Sequence, residues 1–421
     1  MSILKQDNLL FITILLVTVT LPISMLANNI SIVLMLLVWI MEGKWRAKLQ
    51  NLKSNNLSWI FIGFYILHLI GMLYTNNTSE GAIELEKRLS LLIFPLVLGS
   101  TTKQFTKTQF HLILKTFVFS CTLASSTMLL YAIYQVTGQN QGVKVLFYDL
   151  LSMSSVIKMH PIYIAMYMGF CLFIILYLLQ KFWHSTSALA KIGSIVLFIY
   201  TLAFIFLTGA RMPIISIVLI IITQFIAGYQ KQILTTNIAL ASLFIGIVVI
   251  VIMKFDILQH RFKIIYETNI SQIFAKDYQY YNSNQNAFSM RLVKWRCSVE
   301  VIYENFLFGV GTGDTEDQLV ICYDQKKFWG RLAGYRFNSH NIYLQDWLRL
   351  GLIGFTLLML SFILPIIKAV KQKKALYLTF ITLFMLCGIT ESLMNANKGI
   401  VFFAFFSCIF AFKSDIQGSS T

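Results

Sequence analysis

The sequence predicts an all-α polytopic membrane protein with about twelve transmembrane helices and one long outer loop between the ninth and tenth helices. Two observations support this fold class: the composition and a series of apolar runs of helical length. Of the 421 residues, 57% are hydrophobic and 12% are charged, and the mean hydropathy is +0.71. A soluble domain could not bury so much apolar surface and a disordered chain would be more polar, so both classes are excluded.

The apolar runs define the predicted spans in chain order. Nine precede the long loop: Leu9–Leu26, Ser31–Met41, Leu57–Tyr74, Leu89–Leu98, Phe110–Val136, Ile162–Leu179, Ile192–Leu207, Pro213–Ala227 and Ile233–Met253. Three follow it: Ile342–Ile367, Ala375–Leu393 and Ile400–Phe412. Several are shorter than the ~20 residues that a bilayer crossing needs, so their helices must extend into flanking polar residues. The chain therefore divides into residues 1–254 with nine spans, the loop 255–341 with amphipathic helices, and residues 342–421 with three spans and a short tail.

Basic residues favour one side of the predicted membrane. With the N-terminus inside, the inner segments hold 16 basic and three acidic residues, whereas the outer segments hold 18 basic and 15 acidic residues. This asymmetry follows the positive-inside rule and predicts that the N- and C-termini are cytoplasmic. The net charge of +16 is spread over many short inner loops, so no nucleic-acid partner is expected.

The outer loop 255–341 is where we expect the function to lie, because long loops in compact proteins usually carry one. Apolar residues recur at helical spacing in the segment from residue 288 to residue 305, which predicts an amphipathic helix. Arg291 and Trp295 lie four residues apart and therefore share one face of this helix.

The rest of the loop carries weaker signals. Three glycines in the segment 306–314 (the glycine turn) predict exposed backbone N–H groups, which can hold phosphate, although the motif alone is weak. Thr315 and Gln318 fit a capping box that opens a second helix. Cys297 and Cys322 could form a disulfide in an oxidising compartment. The six cysteines contain no CxxC pair, so zinc or haem attachment is not expected.

A histidine lies at the end of the outer loop. Asn338 or Ser339 can cap the tenth membrane helix, which would place His340 in its first turn, at the membrane surface. The helix dipole disfavours an imidazolium there, and a neutral imidazole is what a general base requires. The alternative is a histidine that only caps the helix or hydrogen-bonds locally.

The outer ends of other spans carry polar residues that allow two interpretations. Arg211 lies between the seventh and eighth spans, where a charge is costly; its guanidinium either binds phosphate oxygens or extends to the membrane interface. Lys87 and Arg88 lie at similar depth, and ordinary interfacial anchors are the favoured interpretation for them. His160 is interpreted first as a helix-start residue and second as a substrate contact.

Acidic residues near the membrane also leave alternatives open. Glu391 could pair with an arginine, orient the base, or make a hydrogen bond that packs helices. Glu84 and Glu86 could suggest a metal pair, but their basic neighbours favour a solvated interfacial cluster. Asp346 and Arg349 are three residues apart and are expected to pair with each other.

These motifs resemble the O-antigen ligase family and its relatives, the O-antigen polymerases and the protein O-oligosaccharyltransferases. Three motifs carry the likeness in order: Gly209-x-Arg211, then Arg291-x-x-x-Trp295 with the glycine turn, then His340-Asn341-x-Tyr343-Leu344 with Gly351-x-x-Gly354. The third motif is the most specific and the glycine turn the least. The likeness is firm over residues 209–354, and the number of spans and the long outer loop also match.

The resemblance implies a glycosyltransferase C-like fold in the bacterial cytoplasmic (inner) membrane, with a periplasmic active site. It implies transfer of a glycan from undecaprenyl diphosphate to an acceptor hydroxyl, without a metal or another cofactor. His340 would be the base that activates the acceptor, and Arg211 and Arg291 would bind the donor diphosphate. Supporting residues would be Arg88, Asn341 and Glu391.

The acceptor separates three activities within this likeness. A ligase would use lipid A-core, a polymerase would extend the lipid-linked glycan, and an oligosaccharyltransferase would use a protein. The third motif and the compact size favour the ligase. A lipid-linked glycan transporter is the alternative from another class, but it predicts internal repeats and charges near the bilayer midplane, whereas the notable charges here lie at the outer surface.

Overall fold

The computed structural model describes residues 6–101, 105–138, 156–229, 273, 287–326, 328 and 336–412. All regular structure in these ranges is helical. Nine helices precede the outer segment: α1 (Gln6–Thr20), α2 (Met25–Met41), α3 (Trp45–Lys53), α4 (Asn56–Gly71), α5 (Thr78–Ser100), α6 (Lys107–Gly138), α7 (Pro161–Phe182), α8 (Ala188–Leu207) and α9 (Arg211–Tyr229). Five follow: α10 (Ala287–Glu304), α11 (Thr315–Gln325), α12 (Ile342–Lys371), α13 (Ala375–Gly388) and α14 (Asn397–Phe412). Short 3₁₀ helices occupy Met72–Tyr74 and Leu393–Asn395.

Five of the described helices are long and apolar enough to cross a membrane. They are α4 with its 3₁₀ extension, α6, α7, α8 and α12. The pair α2 and α3 would be a sixth span, although it is bent by 114°. These helices agree with a polytopic membrane protein, and the total of about twelve spans stays a prediction. The ninth predicted span, most of the loop 255–341 and the C-terminal tail lie outside the described residues.

Two predicted spans have the wrong bounds. The first is predicted to reach Leu26, whereas α1 ends at Thr20 and a turn precedes α2. The eleventh is predicted to reach Leu393, whereas α13 ends at Gly388. Apolar residues follow both helix ends, so hydropathy alone does not reveal the boundary. The fourth span extends into flanking polar residues as expected, because α5 begins at Thr78.

Helix α14 lies at the centre of the membrane bundle. All of its residues from Lys398 to Phe412 are buried, and its aromatic rings contact at least three other helices. Phe406 lies 4.8 Å from Phe117 of α6 and 5.1 Å from Phe170 of α7, measured between ring centroids, and Phe403 lies 4.8 Å from Phe384 of α13. A helix that is apolar on every side is expected in such a position.

The outer helices α10 and α11 share a second, smaller core. Buried side chains of both helices pack with Leu348 of α12. Cys297 of α10 and Cys322 of α11 form a disulfide, with their Cα atoms 5.8 Å apart. The disulfide that the sequence left open is therefore formed, and it holds together the two helices that lie above the bundle.

Helix α12 is broken at Gly351, and the glycine turn fills the break. Gly351 has φ +64° and ψ −161°, values that a residue with a Cβ rarely adopts. The carbonyls of Leu348 and Arg349 therefore lack helical partners, and they accept hydrogen bonds from the amides of Val310 (2.9 Å) and Gly311 (3.0 Å). The glycine turn is thus a structural clamp on α12.

The prediction that the glycine turn has exposed backbone N–H groups is wrong for the amides of residues 309–313, so its weak phosphate signal is not supported. Gly309 donates to the Asn305 carbonyl just after α10, Thr312 to the Gly71 carbonyl at the end of α4, and Gly313 to Thr75 Oγ1. The sequence shows three flexible glycines but not the distant carbonyls that use their N–H groups.

The predicted capping box is also wrong. Helix α11 begins after Asp314, whose side chain makes no hydrogen bond to α11. Its two carboxylate oxygens instead accept hydrogen bonds from the amides of Asn76 and Asn77, both at 2.7 Å. Asp314 therefore fixes the glycine turn to the start of α5.

Candidate functional site

His340 lies immediately before α12, in a left-handed backbone conformation with φ +48°. Asn341 is the N-cap, since its Oδ1 accepts hydrogen bonds from two amides in the first turn of α12, at 2.9 and 3.0 Å. The prediction that Asn338 or Ser339 caps this helix is therefore wrong. His340 lies outside the first turn, so the helix-dipole argument does not decide its charge. A positive φ costs free energy for a residue with a side chain, so the surroundings must hold it.

Hydrogen bonds fix this segment against the turn that follows α13. The amide of His340 donates to Asn338 Oδ1 at 2.9 Å. The Nδ2 of Asn341 donates to the Ile389 carbonyl at 2.9 Å, and the amide of Asn341 donates to Ser392 Oγ at 3.1 Å. Asn341 thus joins the start of α12 to the end of α13, which brings His340 next to residue 391.

The closest charged partner of His340 is Glu391. The His340 Nδ1 lies 3.3 Å from the Glu391 Oε2, with 26% of the histidine side chain and 10% of the glutamate side chain exposed. Burial would raise the pKa of Glu391, but the hydrogen bond from His340 and the charges of His340, His160 and Arg291 lower it further, and the net pKa is lowered. A carboxylate only accepts hydrogen bonds, so the Nδ1 of His340 is the donor in this contact.

Two cations of α10 lie near the same carboxylate. Burial lowers the pKa of Arg291, and the charge of Glu391 opposes that effect. Burial and then the charge of Arg291 lower the pKa of Lys294 to about 8, again opposed by Glu391. The Lys294 Nζ lies 3.9 Å from the ring centre of Phe337, and that ring is 6.5 Å from the His340 ring. Within the described residues, the buried Nε of Arg291 has no hydrogen-bond partner.

His160 is a second histidine beside this group. It is the N-cap of α7, and its Nδ1 accepts a hydrogen bond from the Ile162 amide at 3.4 Å. The helix-start interpretation is therefore confirmed. Burial lowers the pKa of His160, the charge of Glu391 raises it, and the charges of His340 and Arg291 lower it. His160 is therefore close to the charged groups of the site.

Arg211 lies at the same end of the bundle. It is the first residue of α9 and is half-buried. Helix α9 runs antiparallel to α13: Ser216 Oγ contacts Cys387 Sγ at 3.8 Å, and Gln224 Nε2 donates to Thr379 Oγ1 at 2.8 Å. Extending this register by five residues puts Arg211 level with the turn after α13, where Glu391 lies.

Arg88 does not join this group. It is fully buried, and its Nη1 pairs with Glu84 Oε2. Glu84 also pairs with Lys87 at 2.6 Å and with Arg349 at 2.8 Å. The interpretation of Arg88 as an interfacial anchor is therefore wrong, and so is that of Glu84 in a solvated cluster.

We call Glu84, Arg88, Asp346 and Arg349 the buried charge cluster. Arg349 lies 3.6 Å from Asp346, as expected, but it is closer to Glu84. With three cations around it, Glu84 is a poor metal ligand, and the described part of the chain holds no group of three or more His, Cys, Asp or Glu side chains that could bind a metal ion. The cluster joins α5 to the first segment of α12, which carries His340 at its start.

The structure thus brings His340, Glu391 and Arg291 together, places Arg211 at the same end of the bundle, and puts Arg88 in a separate cluster. The charges that shift the pKa values of His160 and Arg291 do not include Arg211. By sequence, His160 is interpreted as a substrate contact only in second place, because nothing in a single sequence reports its proximity to Glu391.

Comparison with known proteins supports the resemblance. The family model described as O-antigen ligase matches residues 196–359, a range that contains all three motifs. The match confirms the likeness for that part of the chain and, with the apolar helices, supports a bacterial membrane enzyme. No curated protein matches the chain.

Proposed function

From the O-antigen ligase domain at residues 196–359, we propose that this protein is a membrane glycosyltransferase of the ligase type. It transfers a glycan from undecaprenyl diphosphate to a hydroxyl of lipid A-core at the periplasmic face of the inner membrane. The observation that carries the proposal is the His340–Glu391 pair beside buried cations. That arrangement contains the two functions that the reaction needs, a base and a site for a leaving anion.

His340 acts as the base. Glu391 holds the proton on Nδ1 and orients the ring, so Nε2 accepts the proton of the acceptor hydroxyl. The acceptor oxygen then bonds to the anomeric carbon of the donor, and the bond from that carbon to the diphosphate oxygen breaks. The electron pair leaves with the diphosphate. The imidazolium that forms is stabilised by the Glu391 carboxylate.

Arg291 and Arg211 balance the charge of the leaving diphosphate. Fixed guanidiniums stabilise phosphate oxygens strongly where water is scarce, and they do so without reorganisation during the reaction. Arg291 is suited to this role because it lies near Glu391 and its buried Nε has no partner in the described residues. In this proposal these cations, rather than a metal ion, supply the positive charge.

Lipopolysaccharide banding in a deletion strain tests the proposal. The strain is complemented with wild type, His340→Ala, Arg291→Ala, Arg211→Ala, or the control Glu304→Ala at an exposed position of α10. We expect the deletion to remove the O-antigen ladder while lipid-linked polymer accumulates. The three site variants should reach the membrane at wild-type abundance but not restore the ladder, whereas the control should restore it.

Other outcomes would change the assignment. Core carrying a single repeat unit would identify a polymerase with the same chemistry. An intact ladder together with lost glycoproteins would identify an oligosaccharyltransferase. Full rescue by His340→Ala would refute the mechanism.

A further inference from the structure

A carboxylate on α11 bridges the two segments that carry His340 and Glu391. Glu316 is the second residue of α11 and is half-buried. Its Oε1 accepts hydrogen bonds from Asn395 Nδ2 at 3.2 Å and from Gln345 Nε2 at 3.3 Å. Asn395 belongs to the 3₁₀ helix after α13, and Gln345 lies in the first turn of α12.

The residues that carry these two side-chain amides are each hydrogen-bonded to a neighbour of one member of the catalytic pair. The Oε1 of Gln345 accepts a hydrogen bond from the amide of Ser339 at 2.8 Å, and Ser339 precedes the histidine. The amide of Asn395 donates to the carbonyl of Ser392 at 2.8 Å, and Ser392 follows the glutamate. Glu316 therefore holds both segments through a single oxygen atom.

The buried charge cluster fixes the orientation of one of these amides. Arg349 Nη1 and Arg88 Nη2 both donate to Asn395 Oδ1, at 3.2 and 3.4 Å. The Asn395 Nδ2 must therefore point towards Glu316, and it needs an acceptor there. An ionised carboxylate is a strong acceptor for two amide donors, whereas an apolar side chain would leave both without a partner.

From this geometry we infer that Glu316 is a positioning residue that sets the separation of His340 and Glu391. The inference rests on the proposed function, because it assigns the pair a catalytic role. Within the described residues, Glu316 makes no hydrogen bond or ion pair with Arg291 or Lys294, and it is not expected to influence donor binding. Mutating the outer-shell residues that orient metal ligands typically changes activity 10- to 100-fold, and a displacement of about 1 Å at a reacting group can have a similar effect, so we expect an effect of this size here.

The test measures transfer by the purified full-length protein in nanodiscs, with an undecaprenyl-diphosphate-linked glycan and lipid A-core. The variants are Glu316→Ala, Glu316→Gln, His340→Ala and the exposed control Glu304→Ala. For Glu316→Ala we expect kcat to fall about 10- to 100-fold with the KM for the donor unchanged. The melting temperature should fall modestly, because two side-chain amides lose their acceptor. Glu316→Gln retains an acceptor oxygen of the same reach and should recover much of kcat.

Each remaining outcome decides against at least one of the two claims. If His340→Ala is inactive but Glu316→Ala has wild-type kcat, the positioning role is wrong and the proposed function stands. If Glu316→Ala raises the KM for the donor as strongly as it lowers kcat, or if Glu316→Gln is no better than Glu316→Ala, Glu316 has only a general structural role. If His340→Ala is fully active, the proposed mechanism and the positioning role both fail.

Discussion

Replacing Lys294 by Met should stabilise the protein in the absence of donor. The side chain is 3% exposed, and its ammonium lies near the charge of Arg291. A cation kept in such a place without a bound anion is costly, and the proposed diphosphate site would give a reason to keep it. Met has a similar length and carries no charge, so the substitution removes the cost with little change in packing.

The magnitude follows from the pKa. Burial and Arg291 lower the pKa of Lys294 from 10.5 to about 8, and a difference of one pH unit corresponds to about 1.4 kcal/mol, so the charged form costs about 3 kcal/mol at pH 7. Replacing the ammonium by an uncharged side chain should therefore stabilise the protein by about 3 kcal/mol at pH 7.

The pH dependence independently tests whether Lys294→Met stabilises the protein through loss of the charge. The folded pKa lies below the unfolded pKa, so the destabilisation is complete below pH 8 and disappears as the pH rises through 10.5. Between pH 7 and pH 9.5 the advantage of Lys294→Met should shrink by about 2 kcal/mol. Thermal unfolding in detergent at both pH values measures it, with the exposed Lys371→Met as control. An equal effect at both pH values, or destabilisation at pH 7, would refute the reasoning.

Three further substitutions test the scaffold. Gly351→Ala should prevent normal assembly, because φ is +64° and a Cβ would lie 2.2 Å from backbone atoms of Leu307 in the glycine turn, whereas a Cβ at Gly193 meets nothing within 4 Å. Gel filtration after expression compares Gly351→Ala with Gly193→Ala, and a monodisperse Gly351→Ala protein would contradict the clamp. Cys297→Ser should destabilise the outer helices by about 3 kcal/mol, measured as faster proteolysis, and a rate that matches oxidised wild type would count against this. Arg349→Met should lower the free energy of unfolding by about 3–5 kcal/mol, because it leaves buried carboxylates uncompensated. In thermal unfolding, adding Glu84→Gln to this variant should recover part of the lost stability, and no recovery would argue against the ion pair.

Composition predicted the helical membrane fold, because a chain this apolar has few other ways to satisfy its backbone. The motif around His340 was recognised from local spacing. The cap was misplaced by two or three residues, because Asn338, Ser339 and Asn341 are comparable N-caps by type. Only tertiary contacts with the turn after α13 select Asn341.

Contacts between distant segments could not be predicted. Nothing in the sequence places Glu391 beside His340, or makes Glu316 more than an acidic residue in the first turn of a helix. Glu84 and Arg88 have the spacing of an exposed helical pair, and their burial follows from Arg349, which reaches them from α12. A single sequence records spacing along the chain but not which helices become neighbours.

The break in α12 also resolves a problem of length. An uninterrupted helix of 30 residues would span ~45 Å, well beyond the ~30 Å of the hydrocarbon core. The part after Gly351, from Leu352 to Lys371, spans ~30 Å and matches the core by itself. The segment Ile342–Leu350 can then remain with the outer helices. In bilayers of different thickness, a tilt of the lower part would be absorbed at Gly351, and the end that carries His340 would keep its place.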